Sequence, residues 1–142
     1  MKVSARNVFP GKVSGFRAGS VNAEVEIALA GGDRLVAIIT MESAKALAVA
    51  EGREVVALVK APWVMLMTDS SGVRLSARNC LAGTVKSVEP GAVNAEVVLT
   101  LAGGTEVAAI VTKEAVGDLG LKPGVAATAV IKASHVILGV PS

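Results

Sequence analysis

Two short sets of hydrogen-bond donors recur in this chain at a fixed separation. Ser4-Ala5-Arg6-Asn7 returns as Ser76-Ala77-Arg78-Asn79, and Lys60-Ala61 returns as Lys132-Ala133, each 72 residues on. Serine offers one O–H, arginine five N–H donors and lysine three. Charge-assisted donors of this kind, brought together with backbone N–H groups, suit a small oxyanion. The carboxylates and imidazoles that would hold a cation do not accompany them. On spacing alone a plainer alternative stays open: Ser-Ala-Arg-Asn starts a strand and its polar groups bond the backbone. Asn22 and Asn94 are read in the same way, as caps on the turns after Gly19 and Gly91.

Acid–base and redox chemistry find little support. His135 is the only histidine, and Trp63 stands at the matching position of the first repeat, so a packing or surface role is expected. Cys80, the only cysteine, matches Val8 and is expected to be a small core residue. A single cysteine excludes a disulfide framework, an iron–sulfur centre and a cysteine-based zinc site within one chain. Glu24 and Glu42 recur as Glu96 and Glu114. Glu24 is expected to be solvated, and Glu42 suits the first turn of a helix, where its charge meets the helix dipole. No Ser/His/Asp triad and no specific carboxylate pair is present. The expectation is a binding protein, not an enzyme.

The elements that position these donors follow from the repeat. Aligning residues 1–70 on 73–142 gives 28 identities in 70 positions without a gap. This is a duplicated unit of about 70 residues, with expected domains at 1–70 and 71–142 joined through the polar stretch Thr68-Asp69-Ser70-Ser71-Gly72. The 142 residues are 52% apolar but only 2% aromatic, so the core must be Ala, Val, Leu and Ile. A 70-residue unit buries only about 60% of its unfolded surface and is marginal alone. Packing against further subunits is therefore expected.

Within each unit, Val21 to Leu29 alternates apolar and polar residues and reads as a strand. Lys12 to Phe16 precedes it as a strand, Gly31-Gly32-Asp33 is a hairpin turn, and Leu35 to Thr40 is a third strand. Glu42 to Ala48 favours a short helix capped by Thr40, as Thr112 caps the copy. Glu54 to Lys60 and Trp63 to Met67 are the last two strands. The expected fold class is all-β: two tandem OB-fold-like five-stranded barrels, each with a short helix between strands 3 and 4; a small β-sandwich or an SH3-like barrel shares the pattern, and the helix favours the OB order.

The net charge is only +2, and no apolar leader segment follows Lys2. The longest apolar runs, such as Ala61 to Met67, fall far below the roughly 18 residues of a membrane span. A cytoplasmic protein is expected, with no membrane and no nucleic acid as partner. An OB-fold single-strand binder needs stacking aromatics over a positive groove, and Phe9, Phe16 and Trp63 are not repeated. That class, and a purely protein-interacting module, are the competing functions.

Several motifs in order, twice, resemble the molbindins, which are built from Mop domains. These are Ser4-Ala5-Arg6-Asn7 with Gly11 and Val13, Val21-Asn22-Ala23-Glu24-Val25, Ile38-Ile39-Thr40, and Val59-Lys60-Ala61-Pro62-Trp63-Val64, with their copies. The resemblance covers essentially the whole chain. It implies a cytoplasmic, non-catalytic binder of molybdate, and of tungstate, that assembles as a homotrimer with six domains around a threefold axis. Carried over, Ser4, Ala5, Arg6, Lys60 and Ala61 would line one class of site, and Ser76, Ala77, Arg78, Lys132, Ala133 and Ser134 its copy. Asn7 and Asn79 accompany them, and backbone around Ser20-Val21-Asn22 and Ala92-Val93-Asn94 of a neighbouring domain would close the pocket. The metal enters only as the oxyanion. Pro62, where the copy has Ser134, lacks both an N–H and a hydroxyl. Storage, buffering and transfer to molybdenum-cofactor assembly enzymes stay open as roles.

Overall fold

The alternation at Val21 to Leu29 holds in three dimensions. In the computed structural model, which describes residues 1–142, Ala23, Val25, Ile27 and Leu29 are buried while Asn22, Glu24, Glu26 and Ala28 face outward. The strands of the first repeat are β1 (Asn7–Ala18), β2 (Asn22–Leu29), β3 (Arg34–Thr40), β4 (Glu54–Val59) and β5 (Met65–Met67). Helix α1 (Met41–Ala46) lies between β3 and β4. The second repeat gives β6 (Asn79–Pro90), β7 (Asn94–Leu101), β8 (Glu106–Thr112), α2 (Lys113–Leu119), β9 (Ala126–Ile131) and β10 (Ile137–Gly139). The expected element order is met, including the helix after the third strand. Both caps are met too: Thr40 Oγ1 accepts from Ser43 N–H, and Thr112 Oγ1 from Ala115 N–H.

The first strand is longer than expected. It begins at Asn7, not Lys12, and runs for 12 residues. A bulge at Ser14 shifts its register against β2, and Lys86 does the same in β6. One extra residue bends a long strand without ending it. The apolar spacing on either side of the bulge is therefore out of phase, which hides a single strand in the sequence.

The repeats and the sheets do not coincide. One sheet runs β10-β4-β1-β2-β3 and the other β5-β9-β6-β7-β8, all antiparallel. Each repeat thus lends its short last strand to the other's sheet. Leu138 pairs with Ala57, and Leu66 with Ala129. A single-turn 3-10 segment, Ala61–Trp63 or Ala133–His135, carries the chain across. The core is correspondingly one body: 26 buried residues drawn from both repeats form one contiguous cluster.

Two buried asparagines complete the exchange. The Asn7 amide donates to Val59 O and Ala108 O and accepts from Ala108 N–H, at 3.2, 2.8 and 2.7 Å. The Asn79 amide bonds both backbone groups of Val36, at 2.7 and 2.8 Å. Val36 is on β3 and Ala108 on β8, the last strands of their sheets. Each side-chain amide replaces a missing strand neighbour and satisfies an edge that would otherwise be unpaired.

The turns after β2 and β7 also meet. A Cβ on Gly31 would lie 1.9 Å from Gly103 O. Asp33 Oδ1 and Oδ2 accept from the N–H groups of Gly103 and Thr105 at 2.9 and 3.1 Å. Burial raises the Asp33 pKa, but the bonds from the Thr105 side chain and from both backbone N–H groups outweigh it, leaving the carboxyl below its usual value. Cys80 departs from expectation: it is exposed. It sits on β6 at an outward position of the alternation, as the half-exposed Val8 does on β1.

Candidate functional site

The two parts of each donor set flank one end of a ladder. The β1–β4 ladder ends at the pair Asn7↔Val59, and the β6–β9 ladder at Asn79↔Ile131. The residues beyond those ends are Ser4-Ala5-Arg6 beside Lys60-Ala61, and Ser76-Ala77-Arg78 beside Lys132-Ala133-Ser134. Antiparallel pairing at the last rung places the starts of both segments at the same end of the ladder. Ser4, Lys60, Ser76, Lys132 and Ser134 are exposed. Ala61 and Ala133 are buried and anchor the 3-10 turns on which the lysines sit.

The asparagines do not join this set. Asn7 and Asn79 are 1% and 2% exposed, and their amides are spent on the strand edges described above. The plainer reading of the Ser-Ala-Arg-Asn motif is correct for its last residue.

The arginines carry a feature that the sequence reading missed. Arg6 pairs with Glu96, and Arg78 with Glu24, each crossing from one repeat to the other. Arg17 Nη2 also lies 3.1 Å from Glu24. Glu24 is therefore not simply solvated: the hydrogen bond from Arg78 lowers its pKa, desolvation acts in the opposite direction, and the charges of Arg78 and Arg17 lower it further. Arg78 is raised in turn, chiefly by its hydrogen bond to Glu24. Glu24 and Glu96 are among the few charged residues retained in both repeats, as are the two arginines. Retention of both signs was the available signal of an ion pair.

The segments expected to close the pocket behave differently from the donors. Ser20, Val21 and Asn22, and Ala92, Val93 and Asn94, are all exposed. Their backbones close the hairpins and start the helices: Gly19 N–H donates to Asn22 O, Met41 N–H to Val21 O, and Gly91 N–H to Asn94 O. The turn is thus closed by the asparagine backbone, not by its side chain. Glu24 stands two residues beyond Asn22, roughly 7 Å along the strand. The first hairpin tip therefore lies toward Arg78, in the other repeat, and not toward Arg6.

Lys60 Nζ lies 5.5 Å from the centre of the Trp63 ring, a cation–π distance. Trp63 in turn meets His135, with ring centres 5.0 Å apart. The two 3-10 turns thus touch through their last residues. No group of three or more His, Cys, Asp or Glu side chains that could hold a metal ion is present. No helix is long and apolar enough to cross a membrane.

Comparison with known proteins bears on this arrangement. The model of the TOBE domain matches residues 3–66 and again 75–138. The molybdenum transport protein ModE of Azotobacter vinelandii is 49% identical over 140 residues, covering 99% of this chain and 52% of that protein. The molybdenum-pterin-binding protein MopA of Rhodobacter capsulatus is 45% identical over 141 residues, covering 99% and 53%. This chain spans about half the length of these curated relatives. A crystal structure of the cytoplasmic molybdate-binding protein ModG, with molybdate bound, superimposes with a TM-score of 0.96 at 70% identity, covering 99% of this chain and all of that one.

Proposed function

Because the chain belongs to the TOBE-domain family, we propose that it binds molybdate without transforming it, at the two donor sets flanking the ends of the β1–β4 and β6–β9 ladders. The observation that carries this is the 70% identity, over nearly the whole chain, to a protein solved with molybdate bound. One set is Ser4, Ala5, Arg6, Lys60 and Ala61, and the other is Ser76, Ala77, Arg78, Lys132, Ala133 and Ser134. Molybdate is a tetrahedral dianion with four acceptor oxygens. Arginine and lysine offset its charge, and hydroxyl and backbone N–H groups fill its remaining lone pairs. Cavity size separates it from sulfate. Tungstate has the same shape and charge, and belongs to the same proposal.

The proposed assembly is a homotrimer in which domain interfaces complete the sites. Each repeat exposes the same apolar positions: Val3 and Leu75, Val21 and Val93, Met65 and Ile137. Scattered exposed apolar residues are ordinary, but the same three positions in duplicate suit burial against further copies. The proposed setting is the cytoplasm, as for ModG. The proposed role is molybdenum storage and homeostasis, with delivery to cofactor-assembly enzymes as its outlet.

Calorimetric titration with sodium molybdate tests the site. Arg78→Ala and Lys132→Ala should each weaken binding about tenfold or more, since each removes a charge-assisted donor. Sedimentation must first establish the oligomeric state of each variant, because donors from two subunits would couple affinity to assembly. Unchanged affinity in both variants would refute the assignment.

A further inference from the structure

On the premise that molybdate binds at these two donor sets, we propose that the sets are unequal and that the one built on Arg78, Lys132 and Ser134 is the tighter. Three differences between the copies bear on this. The first is the occupancy of the arginines. Arg6 gives both terminal nitrogens to Glu96, Nη2 at 2.8 Å from Oε1 and Nη1 to Oε2. Arg78 gives only Nη2 to Glu24, whose other oxygen faces Arg17. More of the Arg78 donors are therefore free for a ligand. The residue matching Arg17 is Glu89, which lies across the ladder from Glu96, so no second cation shares that carboxylate. Glu26 also acts on Arg78, where the other copy has Val98, and offsets part of this advantage.

The second difference is at the lysines. Lys60 is held over the Trp63 ring, a contact that competes with an anion for its ammonium group. Lys132 has the smaller imidazole of His135 at the corresponding position in place of an indole. The third difference is the strongest. Ser134 is exposed on its 3-10 turn, with a hydroxyl and an N–H to offer, whereas Pro62 at the same place on the first turn has neither. One neutral hydrogen bond is equivalent to as much as about tenfold in affinity.

The test is a calorimetric titration of the full chain with sodium molybdate, with bound molybdenum counted by elemental analysis after dialysis. Two classes of site are expected in the unaltered protein. Ser134→Ala should weaken the tight class by up to about tenfold and leave the weak class alone. Pro62→Ser should strengthen the weak class and narrow the gap between the two. A single class in the unaltered protein would overturn the ranking, as would a Ser134→Ala variant in which neither class changes. If no molybdenum is retained at all, molybdate binding itself fails, and that result is distinct from molybdate held equally at both sets.

Discussion

The buried asparagines and the exposed lysine turns lie at the same ends of the same ladders, yet the two repeats treat them in opposite ways. Asn7 and Asn79 make equivalent bonds, to Ala108 and Val36, whose positions differ by the repeat length. The turns differ: Lys60-Ala61-Pro62-Trp63 in one copy and Lys132-Ala133-Ser134-His135 in the other. Inside, an amide that fails to meet a strand edge leaves buried donors and acceptors unpaired, so both copies must comply. Outside, water satisfies whatever the turn presents, and the residues are free to diverge. Pseudo-symmetry is thus enforced where desolvation is costly and relaxed on the exposed turn beyond the retained Lys-Ala pair.

The sharpest break of that comparison is at the asparagines. Asn7→Ala should cost about 2–4 kcal/mol, because it strands both backbone groups of the buried Ala108. Asn79→Ala should cost less, since Val36 is only half-buried and its groups can find water. Urea unfolding followed by circular dichroism measures both. Equal losses would mean that burial of the strand edge does not set the cost.

A second test moves to the place where the two turns meet. Gly31 has φ +76°, and an added Cβ would collide with Gly103 O, whereas Gly32 has φ +91° with nothing within 4 Å of the same atom. Both alanine variants bear left-handed strain of about 1–2 kcal/mol. Gly31→Ala should cost about 2 kcal/mol or more, exceeding Gly32→Ala through the added clash. Thermal unfolding of the two variants side by side would show it, and matching midpoints would mean that the turns separate freely.

The smallest effect concerns Asp33, which binds the second repeat's turn while its counterpart Thr105 returns no such carboxylate. Its pKa is lowered in the fold. The stabilisation is therefore fully present above the unfolded value of about 3.9 and is lost as pH falls through the lower folded value. Asp33→Asn should be less stable than the parent at neutral pH, with the gap closing below about pH 4. Denaturant titrations across that range would detect it, and a gap independent of pH would remove the carboxylate charge from the account.

Much of this was legible in the residues. Alternation placed β2, the hydroxyl of Thr40 placed the start of α1, and the spacing of strands with one helix named the barrel. The donor sets were legible because both repeats keep them. Cys80 was misread because it matches the apolar Val8, while the strand pleat turns both residues outward. Asn7 and Asn79 were read with the ligand donors because a retained polar residue looks the same in sequence whether it meets an anion or a strand edge.

The sequence by itself determined that the chain is one unit written twice, what β2 buries, and which donors both repeats keep. These are local matters, settled by side-chain period, capping chemistry and ladder register. Only the tertiary structure decided which copy each short strand joins. Met65–Met67 and Ile137–Gly139 are three residues each and follow equivalent turns, so either sheet satisfies their hydrogen bonds. The exchange becomes visible only when the 3-10 turns carry the chain across and the Asn7 amide meets a backbone 101 residues away. Partners at that separation are chosen by closing one shared core, and no window of sequence contains both sides of the contact.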